Sequence, residues 1–185
     1  MSGAGLGPTV RAMSTSTAAT SLPEAAGADR RLRRLRWYNL VMGAFHAAQG
    51  VAILLLARNS EFPALPVKGR FMAGPPGTTT PPVEQDLFHI DLAWGVAIFV
   101  FLSALAHWLI ASPRIYDWYV KNLRRERNYA RWIEYSISSS VMIVLIALLT
   151  GIDDVVALIA IFGVNASMIL FGLLMEHYET PGKPN

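Results

Sequence analysis

Residues 132–150, WIEYSISSSVMIVLIALLT, decide the fold class, because this run is long and apolar enough to cross a membrane as a helix. An α-helix rises about 1.5 Å per residue, so about 20 residues span the hydrocarbon core. Within lipid, only helices and closed barrels satisfy every backbone hydrogen bond. The run therefore predicts a transmembrane helix, and it carries one carboxylate, Glu134, near its start.

Three further apolar runs accompany it. The predicted spans are 37–57, 88–111, 132–150 and 155–175. Composition agrees, because only 16% of the residues are charged, against about 25% in soluble domains. We expect an all-α membrane protein with four transmembrane helices in residues 30–185. Residues 1–29, rich in Ala, Gly, Ser and Thr, are predicted to form a disordered cytoplasmic tail.

Basic residues set the predicted topology. Five arginines between positions 30 and 36 precede the first span, and the loop 112–131 between spans two and three is also basic. Loops rich in Lys and Arg stay on the cytoplasmic side. We therefore expect a multi-pass protein of the cell membrane with its N-terminus in the cytoplasm.

The outer segments differ in length and composition. The loop 58–87 is dense in Pro, Gly and Thr, which disfavours helix, and Leu65–Met72 around Lys68-Gly69 is predicted to form a short β-hairpin. The other outer turn is tight. Its Asp153 and Asp154 stand where carboxylates suit the unpaired N–H groups at the start of a helix.

Several function classes are excluded by what the sequence lacks. It has no cysteine, which excludes disulfides and thiolate ligands. No catalytic triad, Gly-rich phosphate loop or local metal-ligand spacing occurs, so we expect neither an enzyme nor a metal site. The net charge of +3 arises from arginines beside the spans and gives no reason to expect nucleic-acid binding.

Three ionisable residues inside the spans are the candidate functional groups. Glu134, His46 and His107 all fall in the cytoplasmic half of the membrane, and such residues are usually functional. Ser103 and His107 share a helix face at i, i+4, as do Glu134 and Ser138. Simpler interpretations exist: an interfacial Glu134–Arg131 pair, a carbonyl-bonded His107, and serines that satisfy backbone carbonyls.

Two long strings carry a family resemblance. Residues 132–147 and 160–172 (AIFGVNASMILFG) resemble the third and fourth helices of the heliorhodopsins. Shorter matches are Phe45-His46 with Gln49, LSALAH at 102–107 and GPPGTT at 74–79. This family consists of seven-helix, retinal-binding light receptors with a cytoplasmic N-terminus, and a sensory rather than a pumping role is the usual inference.

The resemblance implies roles for particular residues. Glu134 would be the counterion of the protonated retinal Schiff base, with Ser103 and Ser138 beside it. His46 and His107 would belong to a hydrated polar cavity with a proton-related role. Asn165 and Met168 would face the chromophore. The family's outer loop forms a β-hairpin at a homodimer contact, which would place 58–87 there.

The sequence departs from the family in one respect. Retinal is attached to a lysine of the seventh helix, but Lys68, Lys121 and Lys183 all fall outside the predicted spans. We therefore expect a partial chain, equivalent to four of seven helices, that needs helices five to seven as partners. Two alternatives remain: a four-helix binding or structural module without chromophore, and a haem protein with His46 and His107 as axial ligands.

Overall fold

The computed structural model describes residues 22–60, 62, 64–77 and 79–179. In chain order the elements are α1 (Leu22–Ala57), β1 (Ala64–Phe71), β2 (Val83–Asp91), α2 (Leu92–Ala111), α3 (Pro113–Leu123), α4 (Tyr129–Leu149) and α5 (Val155–Tyr178). Four helices, α1, α2, α4 and α5, are long and apolar enough to cross a membrane. The predicted helical membrane fold with an outer hairpin is therefore confirmed.

Two predicted boundaries differ from the structure. Helix α1 begins at Leu22, so residues 22–29 are helical where disorder was predicted, and residues 1–21 lie outside the described part. Pro23 fits because the first helical turn needs no N–H at that position. Residues 88–91 belong to β2 rather than to span two, and Asp91 caps α2 by accepting the N–H of Trp94 at 3.0 Å.

The structure contains the predicted outer hairpin, but its turn lies at a different position from the one predicted. Lys68 and Gly69 lie inside β1, which pairs antiparallel with β2 from Ala64↔Asp91 to Phe71↔Val83. The chain reverses between the strands instead, where Gly77 adopts a φ of 89° that favours glycine. A proline-rich reversal leaves the preceding residues free to pair as a strand.

The spans lie side by side in chain order, α1 along α2, α2 along α4 and α4 along α5. Two small residues of α1, Gly43 and Gly50, allow the close approach of α1 and α2. A Cβ on these glycines would lie 2.4 Å from the Trp108 ring and 2.5 Å from the Phe101 ring. On α5, by contrast, a Cβ at Gly163 would have no neighbour within 4 Å among the described residues.

The basic loop between α2 and α4 contains a helix that the sequence analysis did not predict. Ser112 and Pro113 begin α3, with proline in the first turn. The Tyr116 hydroxyl donates to the Leu32 carbonyl, and Nε of Arg36 donates to the Ala111 carbonyl at 2.9 Å. These bonds hold α3 against the arginine-rich start of α1. The basic segments therefore gather at one end of the bundle, called here the basic end.

At the basic end, the carboxylate of Glu176 joins α5 to the start of α4. Its Oε2 accepts the N–H of Asn128 and the indole N–H of Trp132, both at 2.9 Å. Beside it, the hydroxyl of Tyr129 lies 2.8 Å from Nδ1 of His177. These contacts join the end of α5 to the start of α4.

At the opposite end, the hairpin is bound to the α4–α5 turn. Leu65 and Val67 of β1 are buried against Leu148 and Leu158. Asp154 caps α5 as predicted, accepting the N–H groups of Val156 and Ala157 at 3.0 Å each.

The side chain of Asp153 bonds to the hairpin and does not cap α5. It accepts from Arg70 at 2.8 Å and pairs with Lys68 at 3.2 Å, while its carbonyl accepts the Lys68 N–H at 2.8 Å. Glu84 of β2 accepts from Nε of Arg70 at 2.8 Å. The two acids and two bases thus form one network between hairpin and turn.

The network should make hairpin docking sensitive to acid. Burial raises the pKa of Asp153, but its bonds with Arg70 and Lys68 outweigh this and hold it below its usual value. The Arg70 hydrogen bond likewise lowers the pKa of Glu84. Carboxyls with depressed pKa values stabilise the fold above their unfolded pKa of about 4, and that stability is lost as the pH falls through the folded values.

We expect the Lys68 N–H to lose hydrogen-exchange protection severalfold between pH 7 and pH 3, after correction for intrinsic exchange. Asp153→Asn should show the loss already at pH 7 and little further change on acidification. Asp117→Asn, at the basic end, is the control and should behave as the wild type. Equal protection of the wild type at both pH values would contradict the prediction.

Candidate functional site

The candidate site begins with a hydrogen bond between α2 and α4. The hydroxyl of Ser103 donates to Oε1 of Glu134 at 2.8 Å. Ser103 lies in the middle of α2 and Glu134 near the start of α4, where the antiparallel helices bring the two side chains to one level. Both are half-buried. A hydrogen bond to an ionised acceptor is among the stronger ones, so it fixes the carboxylate in place.

Two histidines lie next to this pair. Nδ1 of His107 is 2.9 Å from Oδ1 of Asn39, whose amide donates to the Leu35 carbonyl at 3.0 Å. Because the Asn39 amide is oriented by that bond, its oxygen accepts and Nδ1 of His107 carries the hydrogen. Nδ1 of His46 lies 3.0 Å from Oε1 of Gln49. With Nδ1 as the donor, Nε2 of His107 is left to accept when the ring is neutral.

The His46 and His107 rings stack, with centroids 5.5 Å apart and planes 16° from parallel. Together with Ser103 and Glu134 they line one cavity of about 200 Å³. That volume has room for several water molecules, and polar groups suited to bind them line it on several sides. The structure thus brings together four of the seven predicted site residues in one polar cavity.

The carboxylate of Glu134 has no cation within ion-pair distance among the described residues. Arg131, considered above as its partner, lies over the Trp132 ring instead, 4.6 Å from the centroid. A half-buried carboxylate inside a membrane span is costly unless a positive charge lies nearby. The four helices therefore leave the carboxyl group of Glu134 without an ion-pair partner among the described residues, at the edge of a cavity of about 200 Å³.

The other three predicted site residues lie apart from the cavity. Ser138 is buried one turn farther along α4, and Met168 is 63% exposed on a face of α5 that the described residues leave uncovered. The Asn165 amide donates to the hydroxyls of Ser139 and Ser140 at 2.9 and 3.0 Å. Asn165 thus binds α5 to α4.

The simpler interpretation of the serine run holds for three of its members. The hydroxyls of Ser136, Ser139 and Ser140 each donate to a backbone carbonyl one turn earlier, at 2.6–2.8 Å. Such bonds satisfy the hydroxyls inside an apolar environment.

Sequence reasoning missed two residues that line the cavity, Tyr119 and Asn128. Tyr119 is buried on α3, and this burial raises the pKa of its phenol. Tyr119 was missed because α3 was taken for a loop. Asn128 was also assigned to that loop, whereas it caps α4 by accepting the N–H of Arg131 at 3.2 Å. The Ser112-Pro113 start, followed by Tyr116, Tyr119 and Val120 at helical spacing, was the available signal.

Comparison with protein families adds an independent observation. The family model for heliorhodopsins matches residues 35–185, which includes all four spans and every residue of the cavity. The chain belongs to the heliorhodopsin family. No match to a curated protein was found. Heliorhodopsins are rhodopsin-like photoreceptors of the membrane, generally light-sensing and without enzymatic activity. The resemblance noted in the third and fourth helices is thereby confirmed at the level of the family.

The geometry of the two histidines does not favour the haem alternative in this heliorhodopsin. Axial ligands of one iron point nitrogen atoms at each other across the porphyrin, whereas His46 and His107 stack and bind Gln49 and Asn39. No group of three or more His, Asp or Glu side chains with metal-binding geometry occurs in the described part of the chain.

Proposed function

We propose that this chain forms the counterion half of a retinal-binding light sensor. The observation that carries the proposal is Glu134, a half-buried carboxylate that Ser103 holds and that has no cation within ion-pair distance among the described residues. Retinal, when bound as a protonated Schiff base, supplies light absorption and a buried positive charge. A nearby carboxylate keeps such a charge from losing its proton.

The chemistry of the residues near Glu134 suits a protonated retinal Schiff base. Glu134 offers the negative charge and Ser103 fixes it, while Met168 lies on the uncovered side of α5 and Asn165 lies against α4. Met is a flexible apolar side chain well suited to contact a polyene. Ser138, one turn from Glu134 on α4, adds a further hydroxyl group to the polar residues near the Schiff base. We infer that these five residues hold the chromophore.

The lysine that would bind retinal has to come from outside the four spans, because α1, α2, α4 and α5 contain none. We infer that further helices, equivalent to helices five to seven of the family, cover the exposed face of α5 and supply it. This inference rests on the absence of a lysine within the spans and on the uncovered Met168.

His46 and His107 give the cavity a proton-related role in this proposal. A neutral imidazole has one acceptor nitrogen, and both rings line a cavity with room for water, so they are placed to accept a proton that leaves the neighbourhood of Glu134. The rings are held in place by Gln49 and Asn39. We infer that they take up and return a proton at Nε2.

The arrangement of titratable groups favours sensing over pumping. The titratable groups of the four spans lie toward the basic end. From Val141 to Leu149, α4 has no polar side chain. That stretch is about 13 Å long, and a transported ion would need polar groups along it. By the positive-inside rule the basic end, and with it the N-terminus, faces the cytoplasm.

Reduction of native membranes with borohydride under illumination, followed by intact mass measurement, tests the proposal. A retinyl adduct on this chain's polypeptide, or on a second chain that purifies with it, is the expected result. The bare mass of these residues with no retinyl-bearing partner would overturn the light-sensor proposal and favour a four-helix membrane module without chromophore.

A further inference from the structure

A second, apolar groove lies on the other side of the α2–α4 contact from the polar cavity. Its lining includes Leu102, Leu105, Leu109, Trp118, Ile133 and Ile137. The groove has a volume of about 250 Å³ and almost no polar surface. Since His46 of α1 lines the cavity but not the groove, the two open on different flanks. An apolar flank of a membrane helix pair is the one that faces lipid.

A cluster of cations stands at the end of this groove. Trp118 of α3 lines the groove, and Lys121 follows it by one helical turn. Lys121, Arg124 and Arg125 line an open recess on the same helix end, together with Asp117 and Val120. Three cations against one carboxylate leave a net positive charge there.

We propose that the groove and this cation cluster together bind one anionic phospholipid, with an acyl chain between α2 and α4 and the headgroup phosphate at Lys121 and Arg125. Charge complementarity and the position of Trp118 between the two parts support this occupant. Aromatic and basic side chains at the membrane surface suit headgroups, while the groove suits a hydrocarbon chain. The proposal is independent of retinal.

Such a lipid would also separate the cavity from the bilayer. Ala106, Ile110, Ala130 and Glu134 border both the groove and the polar cavity. The wall between them is therefore one layer of side chains, mostly small or aliphatic. An acyl chain bound in the groove covers that wall. It therefore separates the neighbourhood of Glu134 from the surrounding bilayer.

The headgroup part is tested by native mass spectrometry of the protein released from bilayers of equimolar phosphatidylglycerol and phosphatidylcholine. The wild type should retain phosphatidylglycerol preferentially. The double variant K121A/R125A should lower that preference on the order of tenfold. The control R30A/R31A removes two exposed cations from the same end of the bundle and should keep the wild-type preference. An equal loss in both double variants would overturn the site, because a general surface charge would then explain it.

A matched pair of variants tests the groove part of the proposal. Leu105→Trp fills the groove and should reduce retention of both lipids, whereas Ile98→Trp, equally exposed on α2 but outside the groove, should leave it unchanged. Ile133→Trp fills the groove from α4 and should act like Leu105→Trp. Wild-type lipid retention by both groove-filling variants would overturn the proposal.

Discussion

Glu134→Gln is expected to remove the visible absorption band of the retinal-loaded receptor at neutral pH and replace it with a near-ultraviolet band. Removing one partner of a buried ion pair costs about 3–5 kcal/mol, which favours the neutral Schiff base by a factor of about 100 or more. The effect should be this large because the described residues hold no second carboxylate in the cavity. The spectrum of the receptor, assembled with its remaining helices and all-trans retinal, is the measurement.

Two neighbouring variants separate charge from position. Glu134→Asp keeps the carboxylate and should retain a visible band. Ser103→Ala removes the hydrogen bond at 2.8 Å and should shift the band without abolishing it, because a bond to a charged group is worth about 1.5–3 kcal/mol. A visible band that persists in Glu134→Gln would place the counterion outside these four helices. The mass measurement on retinal attachment would be unaffected by that result.

The spans and the polar cavity could be predicted because lipid imposes simple rules. Long apolar runs must be helices, and the number of residues from each span end placed Glu134, His46 and His107 in the same half of the membrane. Side-chain partners were harder to predict, since Glu134 had two neighbours within reach and the structure selects Ser103 over Arg131.

The segments outside the membrane were predicted less well, for a physical reason. Hydropathy does not separate a surface helix from a loop, so α3 and its Tyr119 were missed. The hairpin turn was placed at Lys68-Gly69 on local chemistry alone. Lys68 and Arg70 instead project from a strand toward Asp153, about 85 residues later in the chain. A contact of that sequence separation leaves no local signal.

The α2–α4 crossing that carries Ser103 and Glu134 should be very sensitive to added volume at Gly95. This glycine is buried, and a Cβ there would lie 2.6 Å from Cδ2 of Leu145, which is itself only 6% exposed. Because Leu145 is enclosed, Gly95→Leu should force the helices apart and destabilise the protein by about 1–3 kcal/mol. Unfolding in denaturant after reconstitution measures this loss.

Gly163→Leu is the matched control for that change. It adds the same side chain to a helix of the same bundle, at a position where a Cβ meets no described atom within 4 Å. Its stability should stay within about 0.5 kcal/mol of the wild type, as for surface substitutions in general. Gly95→Leu should also break the bond between Ser103 and Glu134, because Ser103 lies about 12 Å along the displaced helix. If the two variants unfold alike, close packing at Gly95 does not hold α2 against α4 and does not position Glu134.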